Sequence, residues 1–382
     1  MNEALIIADQ TLILHRHPRR KTETLQAWDS ADEYLINHFN ENELNKYITE
    51  DGQLLIINDG FGALSCYFNE IQRTVVSDSF LSVNSIKLNM QRNHCTPETL
   101  LIQDSLQELP TNAKVVLIKV PKTLAFLEYQ LQQLSAVIGK DTIVVAAGKV
   151  DAIHKSTLAL FEKYIGTTKT SLAKKKSRLI FSLPDQTEIP ETEVAITWDV
   201  ERFEWKIHNH ANVFSRNHLD IGGRYLMDNL PEGDFIKVVD LGCGNGVVGM
   251  AAAEAYPEAQ ITFIDESYMA VDSARINMLK NFEEERSDNT RFVVNNGLVG
   301  FKARSYDLIL CNPPFHQQHT ITDHIAWSMF NDAHFCLAVN GELVIVGNRH
   351  LDYQDKLDRI FGNCELIAEN KKFVVLRAVK MD

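Results

Sequence analysis

The sequence predicts an α/β protein built from two tandem Rossmann-like domains, the first of them degenerate. Three observations carry the prediction. Apolar runs of strand length alternate with helix-length segments, the chain repeats itself at a fixed offset, and only the second copy keeps glycine and asparagine turns at its strand ends. Strands alternating with helices imply a mostly parallel sheet covered on both faces. At 382 residues the chain also exceeds what one hydrophobic core usually supports.

The strand-like runs are residues 54–57 (LLII), 115–120 (VVLIKV), 143–147 (IVVAA), 238–241 (VVDL), 261–264 (ITFI), 308–311 (LILC) and 343–346 (LVIV). The repeat is clearest between residues 77–93 (SDSFLSVNSIKLNMQRN) and 265–281 (DESYMAVDSARINMLKN). At an offset of 188, six positions are identical: Ser79/Ser267, Val83/Val271, Ser85/Ser273, Asn89/Asn277, Met90/Met278 and Asn93/Asn281. A strand and a glycine turn precede each copy (LLIINDGFGALS from Leu54, VVDLGCGNGVVG from Val238). A strand ending in proline follows each (LIKVPK from Leu117, LILCNPPF from Leu308). Features that match in order as well as in residue type read as a tandem pair of domains. The polar stretch 183–197, with two prolines, reads as a linker with room for a short strand at its end. The expected organisation is therefore a degenerate domain over 1–182, a linker over 183–206 and a complete domain over 207–382.

Charge divides along the same line. Residues 1–182 hold 20 Lys and Arg against 20 Asp and Glu; residues 183–382 hold 18 against 31, which accounts for the whole net charge of −13. An anionic polymer such as RNA would find its phosphate contacts more readily in the first half. Two basic runs are candidates there, residues 16–21 (RHPRRK) and 163–178 (KYIGTTKTSLAKKKSR); either one also fits an ordinary solvated face. No apolar run is long enough to span a membrane, and the first twenty residues carry acids inside their apolar stretch, unlike a signal peptide. The six cysteines are scattered with no C-x-x-C pair, so reduced thiols of a cytoplasmic protein are expected, not disulfides or zinc. His316 and His319 are spaced i, i+3 without a third ligand, and no metal site is expected.

The chemistry sits in the second copy. Asp240, Gly242, Cys243, Gly244 and Gly246 lie in the turn DLGCGNG, between an apolar strand and a helix. Its glycines let the backbone bend sharply and approach a ligand with no Cβ in the way. The spacing is not that of a dinucleotide fingerprint. It suits the amino-acid end of S-adenosylmethionine, with Asp240 accepting from the ligand's ammonium directly or through water. A carboxylate at the end of the next strand can take both ribose hydroxyls; strand position favours Asp265, and repeat alignment favours Glu266. Asn296, after the strand at 291–294, is placed to edge the adenine ring. Residues 312–315 (NPPF) supply the acceptor side. The Asn312 amide oxygen and the Pro313 carbonyl can accept both hydrogens of a planar exocyclic amine and aim its lone pair at a methyl group. Pro313 and Pro314 stiffen the segment, and Phe315 can stack on a base. The segment around His208, Asn209 and His210, leading to Asp220, is a candidate to fold over the cofactor; a plain helix entry is the alternative.

DLGCGNG with NPPF resembles the class I methyltransferases that act on exocyclic amines. Residues 213–226 (VFSRNHLDIGGRYL), the decayed tandem copy and NPPFHQQH from Asn312 narrow the resemblance to the bacterial ribosomal RNA guanine-N2 methyltransferases. LQAWDSADEYL from Leu25, LIKVPKTLAFLE from Leu117, IHNHANVFSRNHLDIG from Ile207 and GNRHLDYQDKL from Gly347 resemble the large-subunit (23S) branch of that family. The resemblance spans nearly the whole chain. It implies S-adenosylmethionine as donor, 2-N-methylguanine in 23S rRNA as product, a cytoplasmic location, and no membrane or metal partner. Two other readings stand beside it: methylation of another planar amine (adenine N6, cytosine N4 or a protein glutamine), and a non-catalytic rRNA-binding factor that retains the fold.

Overall fold

The apolar runs become the central strands of two sheets with one strand order. The computed structural model describes residues 3–19, 23–188, 193–314 and 319–382. The described residues divide into two compact units, Met1–Val194 and Ala195–Asp382.

The first unit opens with a hairpin, β1 (Ala4–Ile7) and β2 (Gln10–Ile13), and a helix, α1 (Ser30–Glu41). There follow β3 (Gln53–Ile57), α2 (Ala63–Tyr67), β4 (Arg73–Ser77), α3 (Phe80–Arg92), β5 (Leu100–Asp104), β6 (Ala113–Lys119), α4 (Leu124–Ser135), β7 (Ile143–Lys149), α5 (Lys155–Tyr164), β8 (Thr168–Thr170) and β9 (Ser177–Ser182). The sheet order is β5-β4-β3-β6-β7-β9-β8, parallel except for β9. The second unit repeats the plan: a hairpin, β10 (Ile196–Val200) and β11 (Trp205–Asn209), then α6 (Ile221–Met227), β12 (Lys237–Leu241), α7 (Val247–Ala255), β13 (Gln260–Asp265), α8 (Tyr268–Asn281), α9 (Glu284–Asp288), β14 (Thr290–Val294), β15 (Tyr306–Cys311), α10 (His319–Cys336), β16 (Leu337–Asn348), α11 (Tyr353–Phe361), β17 (Glu365–Glu369) and β18 (Phe373–Val379). Its order is β14-β13-β12-β15-β16-β18-β17.

The central strands are apolar at successive positions because helices cover both faces of the sheet. Leu54 and Ile56 enter one core, and Leu55 and Ile57 enter the core on the opposite face. In β12, Val238 faces one core while Val239 and Leu241 face the other.

Five of the six repeated identities now have a shared physical cause; Ser85 and Ser273 are both buried but bond differently, Ser85 Oγ donating to Leu81 O and Ser273 Oγ accepting the His210 N–H. Ser79 and Ser267 cap α3 and α8, each accepting an amide from the first turn. Val83, Met90, Val271 and Met278 are core side chains. The asparagines clamp the opening hairpin to the helix. The Asn89 amide donates to His15 O (2.8 Å) and Phe61 O (2.7 Å) and accepts the His15 N–H (3.0 Å). Asn277 does the same with His208 O (2.9 Å), Asn245 O (2.9 Å) and His208 N (2.7 Å). Asn93 and Asn281 repeat the arrangement one turn on, at Ile13 and Lys206.

The expected linker is shorter than the composition suggested. Residues 196–206 lie in β10, β11 and the turn between them, and belong to the second unit. At the other end, Leu183 N and Gln186 N still donate into the first unit, to Thr167 O and Ile165 O. Ile196, Trp198 and Val200 alternate with Thr197 and Asp199, a strand period masked in the sequence by the proline-rich approach to it.

Asn277 is wholly buried, so Asn277→Ala strands a backbone N–H and two carbonyls. We expect a loss of about 3 kcal/mol from the second unit's urea transition. Asn281→Ala, at the exposed end of the same clamp, should lose clearly less.

Candidate active site

The turn after β12 can be made only with glycine. Gly242, Gly244 and Gly246 have φ of +75°, +52° and +84°, a region that side chains disfavour. Backbone amides hold the bend against the neighbouring strand: Gly242 N and Cys243 N both donate to Ile264 O, at 2.8 and 2.9 Å. A Cβ on Gly246 would lie 2.8 Å from that of Ala274, so this glycine is also needed for packing. A Cβ on Gly244 would meet nothing within 4 Å. The turn therefore presents bare backbone to open space at Gly244.

Asp240 and Asp265 brace this turn. Asp240 is buried, and one of its oxygens accepts the Gly249 amide at 2.8 Å. Burial pushes its carboxyl up to about 7; the Gly249 amide opposes that rise and Asp265 adds to it. Asp265 ends β13, where its oxygens accept Gly244 N and Ser267 N, both at 3.0 Å. Glu266 follows it, half-buried. Asn295 closes the next turn onto Gly297 O and Val299 O, while the half-buried Asn296 side chain bonds no other described residue. Cys243 is buried inside the bend, where desolvation raises its thiol well above the ordinary range.

Asn312 leaves the end of β15. In the parallel register Leu241 faces Ile264 on one side and Cys311 on the other, so the glycine turn, Asp265 and Asn312 emerge side by side from one edge of the sheet. The Asn312 amide N–H donates to Asp220 Oδ2 at 3.0 Å, and the same carboxylate oxygen caps α6 by accepting Gly223 N at 2.7 Å. Asn312 Oδ1 is buried and has no partner among the described residues. A buried carbonyl oxygen left unpaired carries an energetic penalty, which a donor on a ligand would relieve. Pro313 is buried behind it and Pro314 is exposed. Phe315 and His316 lie outside the described residues.

The family comparisons agree along the whole length. Residues 2–186 match the RLMG N-terminal domain and residues 204–377 match the Methyltransferase small domain. The ribosomal RNA large subunit methyltransferase G of Psychromonas ingrahamii is 77% identical over 382 residues, covering 100% of both chains. The chain belongs to the ribosomal RNA large subunit methyltransferase G family. The same-named protein of Pseudoalteromonas translucida is 51% identical, over 98% of this chain and 97% of that one. Among solved structures, the T. thermophilus 16S rRNA N2 G1207 methyltransferase (RsmC), in complex with AdoMet and guanosine, shares the fold. Its TM-score is 0.74 at 16% identity, covering 99% of this chain and 97% of that one.

Within this family member the first unit shows how a matching edge is closed. Ile57 faces Ile118 as Leu241 faces Cys311, so Lys119 stands where Asn312 stands in the second unit. Asp29 caps α1 as Asp220 caps α6. The Lys119 ammonium lies 2.9 Å from Asp29 and 2.7 Å from Asp32. Burial works against its charge, but the two carboxylates more than compensate and raise it. Asp59, fully buried, spends its carboxylate on Gly62 N, Ser65 N and Ser65 Oγ. The first unit thus fills both positions with its own side chains.

Sequence reasoning missed two roles. Asp220 was named only within the segment read as folding over the cofactor or entering a helix; its contact with Asn312, 92 residues away, is tertiary. His208 and Asn209 end strand β11, and His210 follows it. Asn209 is wholly buried and accepts the Asn245 amide at 2.9 Å, backing the glycine turn. His210 Nε2 meets Asp272 at 2.7 Å, and that hydrogen bond draws the Asp272 carboxyl down to about 2. Among the described residues no three His, Cys, Asp or Glu side chains are grouped to hold a metal, and no helix is long and apolar enough to cross a membrane.

Gly244→Ala adds a methyl group to open space at a strained φ. We expect the fold to survive and the affinity for S-adenosylmethionine, measured by calorimetry, to fall at least about tenfold, a cost of roughly 1.4 kcal/mol.

Proposed function

We propose that this chain methylates the exocyclic N2 of one guanine in 23S rRNA, with S-adenosylmethionine as donor and 2-N-methylguanine as product. The observation that carries the proposal is Asn312 Oδ1: buried, without a partner among the described residues, and held by Asp220 beside a bare glycine turn. Bound at that turn, S-adenosylmethionine supplies an electrophilic methyl group on sulfur. The backbone at Gly242, Gly244 and Gly246 seats its amino-acid end, with Asp240 behind. A carboxylate at the end of β13, Asp265 or its neighbour Glu266, takes the ribose hydroxyls, and Asn296 edges the adenine. These groups fit because the Cβ-free turn and the acid at the strand end leave adjacent strands.

Asn312 Oδ1 accepts one amine hydrogen, and the Pro313 carbonyl is placed in sequence to accept the other. Holding both hydrogens favours a pyramidal nitrogen whose lone pair points along the line of transfer. The nitrogen gains the methyl group and sheds a proton to solvent. No strong base is required, since the attacked nitrogen becomes acidic as its new bond forms. Phe315 is assigned to stack on the flipped base. Asp220 is a positioning residue: its ionised carboxylate can only accept, so it fixes which end of the Asn312 amide faces the substrate.

The pocket alone accommodates any planar amine, including adenine N6, cytosine N4 and glutamine. The names of the full-length relatives favour ribosomal RNA of the large subunit, and RsmC acts on a guanine N2 in its own rRNA. A non-catalytic factor would have no reason to keep three positive-φ glycines in one unit while closing the same turn in the other. The first unit, over roughly the first half of the chain, then serves to hold RNA and support the second. An rRNA substrate places the enzyme in the cytoplasm.

Asn312→Ala should retain S-adenosylmethionine binding by calorimetry and lower turnover roughly 10²-fold or more. Asp220→Ala should also lower turnover, and Asp220→Asn should recover much of it because an amide oxygen still accepts the Asn312 N–H. Mass spectrometry of nucleosides from 23S rRNA, with and without the protein, identifies the product; loss of any nucleoside other than 2-N-methylguanine would overturn the assignment.

A further inference from the structure

Both sheets carry a basic hairpin tip at their carboxyl edge. In the first unit, Lys174 N donates to Ser177 O (2.8 Å) and Ser177 N donates to Lys174 O (2.9 Å), closing a two-residue turn. Its central residues, Lys175 and Lys176, have φ of +49° and +65°. This positive-φ pair is the hairpin geometry that strongly prefers Asn-Gly. Lysine is a poor choice for the backbone there, and all three lysines are exposed. Lys175 pairs with Glu33 at 2.5 Å and Lys174 lies over the Tyr34 ring, 5.6 Å from its centroid. Such exposed interactions contribute little to stability.

The second unit places a lysine pair at the same position between β17 and β18, though in a different turn: Lys372 N and Phe373 N donate to Asn370 Oδ1, both at 2.8 Å, and neither lysine has positive φ. Ser177 pairs with Lys149, the last residue of β7; Phe373 pairs with Asn348, the last residue of β16. The next residues, Val150 and Arg349, donate their amides to Lys176 O and Lys372 O, both at 3.0 Å. Lys175 and Lys176 therefore correspond in position to Lys371 and Lys372, which are also exposed. Where the second unit has Asn312, the first has a half-buried, carboxylate-bound lysine, yet the lysine pair at the tip is present in both. In the second unit the tip adjoins the candidate active site. Strand β18 is two places from β15 in the sheet, about 10 Å across at ordinary strand spacing.

We propose that these two tips, Lys174–Lys176 and Lys371–Lys372 with Arg349, each contact the sugar–phosphate backbone of the RNA substrate. The inference rests on the rRNA reading above and deepens it. The partner is a polyanion because the tips offer clustered, exposed cations that outnumber the carboxylates paired with them, Glu33 at Lys175 and Glu369 at Arg349. They are local cations on a chain whose second half carries the entire charge of −13. Retention of the first tip gives the closed unit a task in holding RNA.

The test compares the full-length wild type with K175N/K176G and K371Q/K372Q. Binding to transcribed 23S rRNA is measured from 50 to 300 mM KCl, together with methylation kinetics. K175N/K176G supplies the residues the turn prefers, so its melting temperature should equal or exceed the wild type. Each pair should reduce the slope of log affinity against log salt by about 2. Each should also raise KM for RNA roughly tenfold, while kcat and affinity for S-adenosylmethionine stay unchanged. A lower melting temperature for K175N/K176G with unaltered KM would make those lysines structural and overturn the proposal. Unaltered slopes and KM in both variants would overturn it and leave the rRNA reading standing. A wild type with no salt-dependent affinity for rRNA would sink both.

Discussion

Three strand ends in register set what this molecule can do. Because β12 is hydrogen-bonded to β13 on one side and β15 on the other, the groups leaving those strands share one edge. The bare glycine bend, the acid at the end of β13 and the asparagine at the end of β15 need no further device to bring them together. A shift of register would carry Asp265 or Asn312 to the opposite face of the sheet. The apolar residues buried on both faces hold the register, and the paired amides of Gly242 and Cys243 on Ile264 O fix the bend itself.

Around that edge most polar groups are paired; Asn209 Nδ2 and Asn312 Oδ1 are buried without a partner among the described residues, and of the two Asn312 Oδ1 leaves the strand end beside the bend. Asp240, Asp265, Asn209 and Asn245 each secure a backbone or side-chain group of the bend. Asn312 has its amide hydrogen engaged by Asp220, and its oxygen has no partner among the described residues. An unpaired buried oxygen is tolerated where a ligand will satisfy it. The first unit offers the contrast inside one chain: an aspartate again caps the helix, but the strand-end residue is Lys119, and its ammonium is already bound by Asp29 and Asp32. Duplication preserved the scaffold and the tips, while the positions that would receive ligands were filled from within.

Much of this was legible in the residues. The alternation of strands and helices, the repeat at an offset of 188 and the glycine bend are local in sequence, and each reports a local physical demand. The repeated Asn89/Asn277 and Asn93/Asn281 were visible as identities, but their task of clamping a hairpin needs a partner some 70 residues away. The β10–β11 hairpin was read as linker because its approach is polar and proline-rich and its strands are only five residues long. Asp220 was hidden for a different reason. A helix-cap aspartate is a common feature, and nothing in its own neighbourhood names Asn312 as its second partner. Lys119 was likewise silent, since burial and two carboxylates, not sequence context, turn a surface residue type into an internal plug.

The central claim is that the bend and the amide oxygen belong to one pocket. The most direct measurement is a crystal structure of the chain with S-adenosylhomocysteine and guanosine. The account predicts the sulfur over the Gly242–Gly246 backbone and the guanine N2 within hydrogen-bond distance of Asn312 Oδ1, on the sulfur's open side. A base bound away from Asn312, or with another atom turned toward the sulfur, would contradict it.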